Sequence, residues 1–111
     1  MILRAMTVVL VTACAAIISL VPKAQADSVD NAYRLCAAFD GTGQLSQKCS
    51  VSGWSSAVDI SLDTTAAQAR KMCTMVADFT QKNGLVFDAG WQLRIYSPFS
   101  RDRTIAVCPI R

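Results

Sequence analysis

Residues 64–84 read TTAAQARKMCTMVADFTQKNG. Within them Ala66, Ala69, Met72, Cys73, Val76 and Phe79 recur at spacings of three and four, while Gln68, Arg70, Lys71, Asp78, Gln81 and Lys82 fall largely on the other side. That periodicity predicts an amphipathic helix with one buried face. Asp63, Thr64 or Thr65 can cap its first turn by accepting backbone N–H bonds, and Gly84 can take the left-handed conformation that ends it. Cys73 sits mid-helix on the apolar side.

Downstream the period changes. Every odd position from Leu85 to Ile95 is apolar (Leu85, Phe87, Ala89, Trp91, Leu93, Ile95), and the even positions include Asp88, Gln92 and Arg94. Such alternation predicts a long strand, or two short ones broken near Ala89–Gly90, with one face buried. Ser97-Pro98-Phe99-Ser100-Arg101-Asp102-Arg103 has the composition of a hairpin loop. From Thr104 to Ile110 the chain is apolar on both sides, Ile105 and Val107 alternating with Ala106 and Cys108, the pattern of a central strand covered on both faces.

Upstream, the pattern turns to period two from Cys49: Trp54, Val58, Ile60 and Leu62 share one side and Ser55, Asp59 and Ser61 the other, a half-buried strand ending against the helix cap at Asp63. Gly53 marks a turn or bulge before it. Val29, Ala32, Tyr33, Cys36 and Phe39 at helical spacing predict a short helix over Ser28–Asp40, closed by the turn Asp40-Gly41-Thr42-Gly43, with Gln44–Lys48 as a polar connection. The Asp-Gly-Thr-Gly run lacks the Lys-Ser/Thr of a phosphate loop and the second copy of an acid-protease signature, so turn chemistry accounts for it.

The expected architecture is a small single α+β domain in the order α-β-α-β-β. A helix between the first two strands makes them run the same way. Placing the doubly apolar third strand between them gives a three-stranded antiparallel sheet of order 1-3-2, with a right-handed crossover. The helix over 64–84 would cover one face and the first helix part of the other.

The beginning of the chain has another character. Met1–Arg4 is a short basic start, Ala5–Val21 is almost wholly apolar, and Ala24-Gln25-Ala26 is a small-x-small cleavage site, so residues 1–26 are expected to be a secretory signal peptide and 27–111 the mature domain. Val11-Thr12-Ala13-Cys14 looks like a bacterial lipobox, but Ala15–Val21 stays apolar where a lipoprotein would continue into a polar tether. The expected location is therefore the periplasm or the medium, with a lipoprotein anchored through Cys14 as the alternative.

Removing the leader leaves 85 residues, enough for one domain with a modest core. Four cysteines remain, Cys36, Cys49, Cys73 and Cys108, an even set that implies two disulfides in an exported chain. Of three possible pairings we expect Cys73 with Cys108, pinning helix to strand, and Cys36 with Cys49, closing a short loop. A Cys36–Cys108 bond is the alternative if Ile105 and Val107 face the helix. No C-x-x-C spacing and no histidine support a zinc site, and no cofactor or metal is expected. The formal net charge of +3 falls to +1 with the leader gone, which offers nothing to attract nucleic acid or an anionic membrane, and the mature form has no expected membrane span.

Absence of histidine removes His-based triads, His-dependent ribonucleases and His metal sites. Asp59, Asp63 and Asp88 are the candidates for a carboxylate pair of the glycosidase type, although each stands where Asp commonly caps or solvates. Ser55-Ser56 has no base partner, and four pairable thiols leave no free nucleophile. Binding has better candidates. Arg101 and Arg103 flank Asp102 in the hairpin loop, Arg94 and Tyr96 lie on the polar side of the adjoining strand, and Phe99 beside Pro98 at the loop tip resembles the aromatic anchor of a protein interface. Trp54 and Trp91 are assigned to packing. The expected function is a non-catalytic exported binding module acting on another exported protein as inhibitor, immunity-type antagonist or accessory subunit. The alternatives are a small His-independent hydrolase using paired Asp carboxylates and an envelope protein whose role is its presence alone.

Overall fold

The computed structural model describes residues 23–111, with side chains from Asp27 onward. The expected leader and its Cys14 lie outside the residues whose side chains are described. Among the described residues two helices, α1 (Lys23–Gly41) and α2 (Ala66–Lys82), accompany four strands, β1 (Gln47–Ser52), β2 (Ala57–Ser61), β3 (Gln92–Tyr96) and β4 (Thr104–Pro109). The chain is a small α+β domain with two disulfides.

α2 forms as its periodicity and ends dictate. Thr65 is the N-cap, its Oγ1 accepting from the Gln68 N–H at 3.2 Å. Gly84 follows the C-cap Asn83 with φ 66°, a conformation that costs a residue with a Cβ and costs glycine nothing. Ala69, Val76 and Thr80 are its buried residues.

The sheet differs from the expectation in three respects. It has four strands, not three, in the order β1-β2-β3-β4. β2 and β3 are direct neighbours and run parallel, joined by the α2 crossover, while β1 and β4 flank them antiparallel. β4 is thus an edge strand and not the centre. Its Val107, aligned with Arg94 on the side away from the helices, is 44% exposed, and Pro109, which has no N–H to give a ladder, suits an edge. The two strands buried on both edges are β2 and β3, whose Val58, Ile60, Leu93 and Ile95 are almost fully enclosed.

β1 spans the end of the expected polar connection Gln44–Lys48 and the start of the alternation from Cys49, expected to lead into one strand and not to form a separate one before Gly53. Its sequence is polar, its register with β2 shifts between Gln47 and Ser50, and it carries only Cys49 and Val51 toward the core. Residues 85–90 show the opposite error. Leu85 and Phe87 are buried as their alternation requires, and Phe87 packs against Trp91 with ring centroids 5.8 Å apart, yet the segment is no strand. Its backbone is satisfied by α1 instead: Asn31 Nδ2 donates to the Val86 carbonyl at 2.9 Å and the Asp88 N–H donates to Ser28 Oγ at 2.8 Å. Period two therefore records alternate burial, with or without a neighbouring strand.

Register sorts the side chains into two faces. Val58, Leu93 and Cys108 are aligned across three strands, as are Ile60, Ile95 and Ala106, and all of them join one core with Ala32, Leu35 and Cys36 of α1 and Ala69 and Val76 of α2. Both helices lie on this face, contrary to the expectation that they divide between the two. Cys36 of α1 is bonded to Cys49 of β1 and Cys73 of α2 to Cys108 of β4, the two pairs anticipated, so each helix is stapled to an edge strand. Tyr33, anticipated on the buried side of α1, is exposed. The other face of the sheet has no layer over it among the described residues.

Candidate functional site

The uncovered face presents three aligned rows, the one toward the β1–β2 turn running Ser52, Ala57, Gln92, Pro109. The middle row runs Ser50, Asp59, Arg94, Val107, and a row toward the β3–β4 loop runs Gln47, Ser61, Tyr96, Thr104. Arg94 and Asp59 sit opposite each other on parallel neighbours. The guanidinium grips the carboxylate with both prongs, Nε to Oδ1 at 2.6 Å and Nη2 to Oδ2 at 2.8 Å. The pair is only about one quarter exposed, and the hydrogen bond to Asp59 raises the Arg94 pKa above its ordinary value despite the opposing effect of burial. Arg94 is thus committed to Asp59 and not held out for a ligand.

Beside this pair opens a cleft of about 370 Å³. Gln47 and Ser50 of β1 form one wall, Asp59, Ile60 and Ser61 of β2 the floor, and Tyr96, Ser97, Pro98 and Arg101 the other wall. The last wall is the β3–β4 loop, and its shape is fixed from within. The Ser97 N–H donates to Ser100 Oγ at 3.0 Å, the Phe99 N–H to Ser97 Oγ at 3.0 Å, and the Arg103 N–H to the Ser100 carbonyl at 3.0 Å. This turn drives Arg101 to φ 55°, the left-handed region, and sets it at the cleft. Phe99 at the tip is 80% exposed.

Of the residues singled out from sequence, the structure brings Tyr96 and Arg101 together at this cleft, with Arg94 behind Asp59 as the support of its floor and Phe99 standing on the adjacent tip. Arg103 is exposed on the far limb of the loop and does not line the cleft. Cys36, Cys49, Cys73 and Cys108 are all spent in disulfides. The carboxylates proposed as a catalytic pair are dispersed. Asp59 faces the cleft, Asp63 is exposed in the β2–α2 link, and Asp88 is exposed in the loop before β3. No group of three or more His, Cys, Asp or Glu able to hold a metal ion occurs among the described residues.

Comparison with protein-family models, curated proteins and solved structures finds no match to this chain. Its chemistry is therefore read from its own surface.

Sequence reasoning missed Gln47, Ser50 and Ser61 as cleft residues because it missed β1, without which the cleft has no second wall. It also misplaced Trp54. Gly53-Trp54-Ser55-Ser56 is the β1–β2 turn, with Ser56 at φ 52°, and Trp54 stands on it 99% exposed instead of packing in the core. Since β2 and β3 are parallel, that turn lies at the opposite end of the sheet from the β3–β4 loop. A further apolar cleft of about 210 Å³ separates the helices, lined by Leu35 and Phe39 of α1 and Met72, Met75, Val76 and Phe79 of α2. Trp91, by contrast, is buried as expected.

Proposed function

We propose that this chain is an exported, non-catalytic binding module that holds a protein partner at the β3–β4 end of its open sheet face, as an inhibitor, an immunity-type antagonist or an accessory subunit. The observation that carries the reading is Phe99, 80% exposed on a loop pinned by its own serines and standing next to a polar cleft. An aromatic side chain on an ordered support loses little entropy on docking, which is what an interface anchor needs. The two disulfides fit an oxidising compartment and with it export to the periplasm or the medium, and we take residues 1–26 as the signal peptide removed on the way.

The experiment is affinity capture by the oxidised protein from its own envelope fraction or medium, followed by the Phe99→Ala/Arg101→Ala double variant. The expected result is a captured protein that the double variant loses while its circular dichroism and thermal midpoint persist. Undiminished capture by the double variant refutes the site. Mass spectrometry of the secreted form is expected to find Asp27 at its N-terminus, and an acylated Cys14 would overturn that processing.

A further inference from the structure

We infer that the cleft between β1 and the β3–β4 loop receives a single carboxylate, presented by the protein partner as an acidic side chain or as its chain end, with Arg101, Tyr96 and Ser61 as the donors. This inference rests on the docking reading above and specifies the chemistry of the same surface.

The polar groups around the cleft fall into two sets. Asp59 and Arg94 satisfy each other, and Ser97 and Ser100 are spent holding the loop. The side chains of Ser50, Ser61, Tyr96 and Arg101 make no hydrogen bond or ion pair to another described residue. Ser61 is the telling member. The residue is 5% exposed, and a side-chain oxygen so placed normally has a partner. No fully buried side-chain polar atom in the described residues lacks one, so the Ser61 hydroxyl keeps its opening to solvent, and that opening is the cleft it lines.

Charge selects the ligand. The Asp59–Arg94 pair is neutral as a unit, which leaves the Arg101 guanidinium as the net charge of the cleft. A planar fork of N–H groups with hydroxyl donors nearby matches a carboxylate. A doubly charged phosphate fits less well, because the single cation of the cleft cannot neutralise it.

The test is a ¹⁵N NMR titration of the oxidised protein with sodium acetate at constant ionic strength, sodium chloride being the reference. Two short peptides follow, one with a free C-terminal carboxylate and one amidated with an internal Asp, beside a neutral amidated control. Saturable shifts confined to Ser50, Ser61, Tyr96 and Arg101 are expected with acetate and with at least one acidic peptide, which identifies the source, and none with the neutral peptide. Arg101→Gln should weaken the affinity about tenfold and Ser61→Ala about threefold. The inference falls if acetate produces no saturable shift there, if the neutral peptide binds equally, if Arg101→Gln changes nothing, or if inorganic phosphate binds more tightly than acetate. Capture separates the two readings. Loss of the partner in Phe99→Ala with no acetate binding retires the carboxylate site alone, whereas acetate binding with undiminished capture by the double variant retires the docking reading, and with it the partner as the source of the carboxylate, and leaves the cleft as a carboxylate site.

Discussion

Arg101 holds φ 55° although it carries a Cβ, and it is exposed on the loop. A left-handed backbone costs a non-glycine residue about 1 kcal/mol, and glycine would relieve that strain while returning a similar amount to the unfolded chain as entropy. Arg101→Gly is therefore expected to leave the denaturant midpoint nearly unchanged and to abolish carboxylate binding. A large loss of stability would mean that the arginine serves the loop and not the cleft. Asp59 and Arg94 should behave otherwise. Removing one member strands the other in a partly enclosed site, so Arg94→Met is expected to cost about 1–3 kcal/mol, measured by urea unfolding, and Asp59→Asn a comparable amount. Because the Arg94 pKa is raised in the folded state, its stabilisation is fully present below the ordinary arginine value and is lost only as pH rises through the raised one. The guanidinium side of the pair should thus contribute no slope to stability across neutral and mildly alkaline pH. The two tryptophans divide in the same manner: Trp91→Ala should cost about 3–5 kcal/mol, and Trp54→Ala should leave the thermal midpoint where it is.

At the scale of elements, α2 was legible because three independent signals agree: a helical period, a threonine where the first turn needs an acceptor, and a glycine where the last turn needs a positive φ. Gly84→Ala tests the last of these. A Cβ there meets no atom within 4 Å, so the expected loss of about 1 kcal/mol of stability, measured by urea unfolding, would be a purely backbone effect, and no loss would mean that the helix end does not depend on it. The sheet was less legible for a physical reason. Hydropathy reports whether a side chain is covered, not which strand lies beside it. β4 looked central since Ala106 and Cys108 meet the core while Ile105, at the register shift opposite Tyr96, packs against it too. Pro109 was the available sign that this strand lies at an edge. β1 was hidden by its polarity, although Cys49 and Val51 alternate correctly and Gly53–Ser56 has the composition of a hairpin turn. With β1 went one wall of the cleft, and with the cleft went Ser61. Tyr96, Phe99 and Arg101 could be named from sequence because a loop flanked by strands announces itself by composition.

The described residues form two layers, a four-stranded sheet with both helices on one face, and a domain this small has little core to spare. The disulfides fasten its two layers at their margins, α1 to β1 and α2 to β4, where edge strands lack a second neighbour. Their contributions should differ. On the chain-entropy relation the Cys73–Cys108 bond, closing a separation of 35 residues, contributes about 4 kcal/mol, and the Cys36–Cys49 bond, closing 13, about 3 kcal/mol. Replacing Cys73 and Cys108 by serine should therefore lower the urea midpoint more than replacing Cys36 and Cys49. Together the two bonds amount to about 7 kcal/mol, comparable with the whole stability of an ordinary small domain. Reduction should consequently unfold most of the population, read as loss of the buried Trp91 fluorescence signal on adding a thiol reductant. That outcome would tie folding to an oxidising compartment, since the same chain kept in a reducing one would not assemble the open face at which we propose that a partner docks. A reduced protein with an unchanged urea midpoint would sever that link and remove the physical ground for placing its work outside the cytoplasm.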